Sequence, residues 1–196
     1  MLGKYFHPPD PEERQRVPPG QHVARGFPVL TCGETPKIGT EDWQLQIWGC
    51  VEPAHLNWAD LMALPQSEFT ADFHCVTRWS KLDVQWAGVR IADLISSIPL
   101  KTKAAHVMAH CYGGYTTNLS LEDFLHPDNF LAHTLFGEPL PPDHGGPLRL
   151  VVPHLYAWKS AKWLSGLEFL EQEELGFWER NGYHSRGEPW AEERYS

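Results

Sequence analysis

Apolar and polar residues alternate from Trp43 to Ile47, with Trp43, Leu45 and Ile47 on one side and Gln44 and Gln46 on the other. That period of two predicts a half-buried strand over Trp43–Gly49. Phe69, Ala71, Phe73 and Cys75 repeat the pattern, which puts His74 on the face opposite Cys75. A turn follows, then a strand over Val84–Val89 with Gly88 near its end. Val107, Ala109 and Cys111 alternate with His106, Met108, His110 and Tyr112 and run into the turn at Gly113-Gly114. Phe130–Phe136 and Leu148–Val152 complete the predicted strands, separated by the turn-rich Gly137–Pro147. The predicted helices are short. Asn57 caps one that runs through Leu64 and stops at Pro65, Ile91–Ile98 ends at Pro99, and Ser120 with Asp123 three residues on starts one at Leu121–Leu125. Strand and short helix recur without a fixed period, so the chain is expected to be α+β, mostly β, with short peripheral helices and no internal repeat.

Residues 1–30 carry Pro8, Pro9, Pro11, Pro18 and Pro19 among charges, and prolines fix the backbone while removing donors. This stretch is expected to be an extended arm packed on the surface of the domain, with 31–196 forming one domain. The tail from Gly176 to Ser196 is aromatic and charged without periodicity. Nine tryptophans and seventeen prolines point to a loop-rich fold with aromatic-lined crevices. A formal net charge of −9 and the lack of a lysine- or arginine-rich helix argue against nucleic acid as a partner. No run approaches the roughly 18 apolar residues that cross a bilayer, and no apolar leader opens the chain, so no membrane span and a cytoplasmic location are expected. Cys32, Cys50, Cys75 and Cys111 form no C-x-x-C, which excludes a zinc ribbon and covalent haem attachment, and they are expected to stay reduced.

Two clusters carry candidate chemistry. Cys75 ends a strand-like run and is followed by Thr77, Arg78, Trp79 and Lys81; Arg78 and Lys81 would favour a thiolate, the form that binds a soft metal or attacks an electrophile. The same position also suits a small buried apolar residue. Between His144 and Leu167 lie Arg149, Lys159 and Lys162 with His144, His154 and Ser160, and no aspartate or glutamate. That positive island, flanked by Leu150, Val152, Trp158 and Trp163, suits a phosphate at the edge of an apolar crevice; its alternative is solvated surface charge. His110 and His144 sit beside glycine turns, where backbone can approach a ligand closely. No G-x-S-x-G, Walker A or G-x-G-x-x-G is present.

Three segments together carry a resemblance: HCVTRWSKLDVQWAGVRIADLI from His74, HGGPLRLVVPHLYAWKSAKWLSGLEF from His144, and FWERNGYHSRGEPWAEERY from Phe177. The chain resembles the molybdopterin-binding domain of the sulfite oxidase family, and within it the short, single-domain "sulfite oxidase-like oxidoreductase" branch. The resemblance implies the sulfite-oxidase-type fold and a molybdenum–molybdopterin cofactor, with Cys75 as the thiolate ligand of molybdenum. It assigns the cofactor's phosphate to His144, Arg149, Lys159, Ser160 and Lys162, and it adds His74, Thr77 and Arg78 as cofactor-binding candidates, to which His110 is joined for its place beside the glycine turn. Arg25, in Arg25-Gly26-Phe27-Pro28-Val29, is a gapped match to the family's active-site arginine, and His133 stands where the family has a tyrosine; both are therefore catalytic candidates. The implied reaction is two-electron oxygen-atom transfer on a small substrate, with sulfite-like oxidation and S- or N-oxide reduction both open. A separate redox protein, a cytochrome or similar, is expected because the chain has no haem or iron–sulfur motif of its own. The alternatives are a non-catalytic cofactor-binding or carrier protein, and a zinc protein using Cys75 with a strand histidine such as His110.

Overall fold

The computed structural model describes residues 5–96 and 98–196. Residues 1–4 of the expected arm and Ser97 of the expected second helix lie outside the described residues. Two sheets dominate the fold. The larger has seven strands, β1 (Phe6–His7), β2 (His22–Ala24), β5 (Ser67–Cys75), β6 (Trp79–Arg90), β9 (Phe130–Leu135), β10 (Glu138–Pro139) and β11 (Arg149–Val151), and β6 and β9 form its centre. The smaller runs in the order β4 (Ala54–Asn57), β3 (Gln44–Gly49), β12 (Leu164–Leu170), β7 (His106–Cys111), β8 (Thr116–Ser120).

Period-two alternation sends β6, β9 and β11 of the larger sheet to two different cores. Leu131 of β9 and Leu150 of β11 pack with Trp43 and with Leu45, Ile47, Val107 and Leu167 of the smaller sheet, while Phe130, Ala132 and Val151 pack with Phe73, Cys75, Trp79 and Trp86 on the opposite face. Arg149 shares that second face with Val151, because the two are two residues apart on one strand. The predicted Phe69–Phe73–Cys75 face packs on this cluster, although the register of β5 against β6 slips between Ala71 and Phe73.

The helices are as short as the sequence predicts. In α1 (Trp58–Ala63) Asn57 and Asp60 exchange backbone and side-chain bonds as a capping box, and in α3 (Leu121–Phe124) the Asp123 amide donates to Ser120 Oγ at 2.9 Å. The others are α2 (Ile91–Ser96) and α4 (Phe177–Arg180). Among the described residues no helix is long and apolar enough to cross a membrane.

The N-terminal arm does more than cover the surface. Its β2 pairs parallel with β6, and Val23 and Ala24 are buried. Arg16 bonds both Asp72 and Asp83, at 2.6 Å each, across the slipped part of β5 and β6. The expectation of an extended arm is corrected for its middle: Glu13–Gln15 form a 3-10 helix, with Glu12 and Arg16 on either side also in right-handed helical conformation, and the chain turns extended again as strand at His22–Ala24.

Candidate active site

β5 and β6 form a hairpin in which Cys75 pairs with Trp79 around a loop of Val76, Thr77 and Arg78. The Arg78 amide donates to the Cys75 carbonyl at 3.0 Å, and Arg78 has φ of 71°. A three-residue hairpin loop needs a left-handed residue in its last position, and here an arginine takes the place of the usual glycine. The carbonyls of this turn are held from behind by the chain's outer segments. Gln21 Nε2 donates to Cys75 O at 3.1 Å, and Arg194 Nη1 donates to Val76 O at 2.7 Å.

Cys75 is thereby fixed in the wall of a cleft of about 170 Å³. Phe27–Cys32 contributes another wall, Arg149, Ser160 and Lys162 line it, and Trp158, Trp163, Trp178 and Tyr183 supply aromatic surface. Phe27 anchors its segment by packing on His144, with ring centres 4.7 Å apart, and edge-on against Phe73 at 5.4 Å. Lys162 Nζ ties the same segment down by donating to the Leu30 carbonyl at 2.9 Å and to the Asp143 carbonyl at 2.6 Å.

The Cys75 thiol is pushed up by burial, and the Thr77 hydroxyl at 3.2 Å with the charges of Arg194 and Lys162 opposes this only in part. The expectation that Arg78 and Lys81 supply the positive field is corrected. Lys81 Nζ donates instead to the Arg25 carbonyl at 3.3 Å, and Arg78 is exposed. The cations that act on the sulfur come from residues 162 and 194, which no local reading of the motif reaches.

Arg149 is buried and has no carboxylate partner among the described residues. Its Nη1 donates to the His144 carbonyl at 2.7 Å and its Nη2 to the Ser160 carbonyl at 2.8 Å, and it lies over Phe73 and Trp86. Burial lowers its pKa to about 9. Burial and Arg149 together lower Lys162 to about 7 and also lower His144. Ser160 Oγ accepts from the Val152 amide at 2.9 Å, which leaves its hydroxyl proton to be donated. Arg149 disfavours the charge of both His144 and Lys162, Asp143 opposes this only in part, and the cleft lining itself holds no aspartate or glutamate, which makes a site that an anion would relax.

Lys159 lies elsewhere. Its ammonium is fully buried against Glu179 Oε1 at 2.6 Å, Asn118 O at 2.7 Å and Asn118 Oδ1 at 3.0 Å, behind the cleft wall. His110 bonds Glu168 at 2.9 Å and packs tilted on Trp48 in the smaller sheet. His133 bonds Gln66 at 2.9 Å, and Arg25 is exposed; neither lines the cleft. His74 turns to Ser80 Oγ at 2.9 Å, and burial lowers its pKa to about 4. The structure thus brings Cys75, Thr77, His144, Arg149, Ser160 and Lys162 to one cleft, and it does not bring Arg25, His74, Arg78, His110, His133 or Lys159 into its lining. Among the described residues no group of three or more His, Cys, Asp or Glu side chains is placed to hold a metal ion, and Cys75 and His110 belong to different sheets, so the zinc reading has no site.

A family model described as "Oxidoreductase molybdopterin binding domain" matches residues 32–178. The chain belongs to this family. A molybdopterin-binding oxidoreductase of this kind has molybdopterin as its cofactor. Among its relatives, the uncharacterized oxidoreductase YuiH of Bacillus subtilis (strain 168) is 49% identical over 189 residues, covering 94% of each chain. The protein-methionine-sulfoxide reductase catalytic subunit MsrP of Campylobacter jejuni subsp. jejuni serotype O:2 is 28% identical over 160 residues, 72% of this chain and 54% of that one. The crystal structure of the sulfane dehydrogenase SoxCD from Paracoccus pantotrophus superposes with a TM-score of 0.67 at 21% identity, over 80% of this chain and 46% of the other. This likeness establishes the sulfite-oxidase-type fold. For a molybdopterin oxidoreductase the donor set fits: a soft sulfur on one wall of the cleft, and a buried guanidinium without a carboxylate beside it.

Proposed function

We propose that the chain catalyses two-electron oxygen-atom transfer on a small substrate, as sulfite-like oxidation or as S- or N-oxide reduction, with Cys75 as the molybdenum ligand. The observation that carries this reading is the shared cleft of Cys75 and the carboxylate-free Arg149. Cys75 Sγ would offer the soft donor, and Arg149, Ser160 and Lys162 would take the cofactor's phosphate through charge-assisted hydrogen bonds. The bound cofactor supplies the redox chemistry. The protein's share is orientation, charge and the exclusion of water, for which the walls of Trp158, Trp178 and Tyr183 are suited. The Tyr115 hydroxyl already donates to the Trp158 carbonyl at 2.7 Å, so it braces that wall and is not free to move a proton. Electrons would pass to or from a separate redox protein, since the chain carries no second redox-group motif.

The carrier reading draws on the positions of Arg25 and His133 outside the cleft lining. One experiment separates the two. The protein is produced in a host that makes the cofactor, its molybdenum is measured, and turnover is followed with reduced viologens or ferricyanide. Molybdenum with dye-coupled turnover supports the enzyme, molybdenum without turnover across sulfite, sulfoxides and N-oxides supports the carrier, and absence of molybdenum sinks both.

A further inference from the structure

The tail presents an exposed indole on a rigid loop. Trp190 is 49% exposed, and the Glu188 carboxylate accepts from the backbone amides of Trp190, at 3.0 Å, and of Ala191. Glu193 closes the loop, since its carboxylate accepts from the Glu188 amide at 2.9 Å and its amide donates to the Glu188 carbonyl at 3.1 Å. A large, half-exposed aromatic side chain on a hydrogen-bonded loop that also carries glutamates has the make-up of a binding hot spot with a charged rim. Residues 188–196 themselves hold Glu188, Glu192 and Glu193 against one cation, Arg194, whose side chain is buried while Glu192 is about half exposed.

This loop is also the outer end of a short route to the cleft. Arg194, four residues after Trp190, donates to the carbonyl of Val76, the residue next to Cys75. The neighbouring Tyr195, 65% exposed, packs edge-on against Tyr183 of the cleft wall with ring centres 5.4 Å apart.

We infer that the Trp190 loop is the docking face for the redox partner, a one-electron carrier protein with a lysine-rich rim around an apolar contact. The inference rests on the oxidoreductase reading and adds the place and chemistry of its partner. An acidic rim selects a basic carrier and speeds its encounter, and the indole supplies the short-range contact. Oxidation of a substrate by one oxygen atom from water releases two electrons and two protons. The electrons leave in two successive single-electron encounters at this face, the protons go to solvent, and reduction runs the same balance in reverse.

The test compares two acceptors on the molybdenum-loaded protein: a small lysine-rich c-type cytochrome and ferricyanide, or reduced viologen as donor if the enzyme works as a reductase. Trp190→Ala is expected to lower kcat/KM for the cytochrome about tenfold or more, Glu192→Gln to lower it less, and salt to lower it in the parent, while turnover with the small carrier stays within twofold. An unchanged cytochrome rate in Trp190→Ala, or an equal fall with both carriers, overturns the docking face. So does sedimentation that shows a parent dimer lost in Trp190→Ala, which would assign the indole to a second copy of this chain. If the parent turns over with no carrier at all, the oxidoreductase reading itself fails, and that outcome is distinct from the others.

Discussion

Lys159 and Glu179 form an ion pair of 2.6 Å with both side chains sealed from solvent. Glu179 Oε1 also accepts from Trp158 Nε1 at 2.9 Å and from Thr117 Oγ1 at 3.1 Å, so one carboxylate oxygen ties α4 to β8 and to an indole of the cleft wall. Burial lowers the Lys159 pKa, and Glu179 opposes the shift.

Removing one partner leaves the other charge buried and unpaired. Lys159→Met is expected to cost about 3–5 kcal/mol, whereas Lys159→Met with Glu179→Leu costs less than the sum of the two single changes. Urea unfolding of the four proteins, free of cofactor, measures the coupling. Additive losses would mean that the pair does not act as a unit.

Arg149→Met removes the buried guanidinium and fills its space with apolar volume. Cofactor retention should fall by the worth of a charge-assisted hydrogen bond or two, roughly 1.5–3 kcal/mol each, while the cofactor-free fold loses little because a desolvated charge is removed as well. Pterin content after gel filtration reads the first effect and thermal unfolding the second. Pterin content equal to that of the parent would show that Arg149 does not hold the phosphate.

Cys75→Ser should leave the fold intact, since the side chains differ little in size, and abolish dye-coupled turnover, because a hydroxyl is a harder and far less acidic donor. Molybdenum analysis and turnover are measured together. Parent-like turnover in the serine variant would remove Cys75 from the metal.

Asp123 is expected to contribute to the acid limit of stability. Burial raises its pKa, but donors from His154, Arg186 and Ser120 outweigh that and hold the carboxylate below its ordinary range. The unfolded chain therefore binds its proton first as pH falls. Stability from Asp123 is fully present above about pH 4 and is lost as pH drops below that toward the folded value. Denaturant titrations at pH 6 and pH 3 should show a smaller acid loss in Asp123→Asn than in the parent; an equal loss would assign the acid sensitivity to other carboxylates.

The central strands of both sheets were mostly legible in the sequence, but β8 and β12 were not. β12 contains Gly166, which reads as a breaker, yet the missing Cβ is what lets the Trp48 ring lie against the backbone; a Cβ there would sit 2.7 Å from the indole. β8 looks like loop because Thr117 and Asn118 are polar, but both are buried against Glu179 and Lys159, so the polar residues face a satisfied interior. The cleft was legible in part for a related reason. Local spacing marks Cys75 and the Arg149–Lys162 stretch, but a charge count along the chain cannot tell that Glu179 neutralises Lys159 or that Arg194 stands beside the Cys75 turn.

The turn at Cys75 has one further consequence, for the order of events during synthesis. Gln21 is made before the turn and Arg194 is made 118 residues after Val76, whose carbonyl it holds. At ribosomal rates that gap lasts on the order of ten seconds. Through that interval one of the two braces of the turn is missing, so if Cys75 holds the cofactor as proposed, its capture at this turn would wait for synthesis through Arg194.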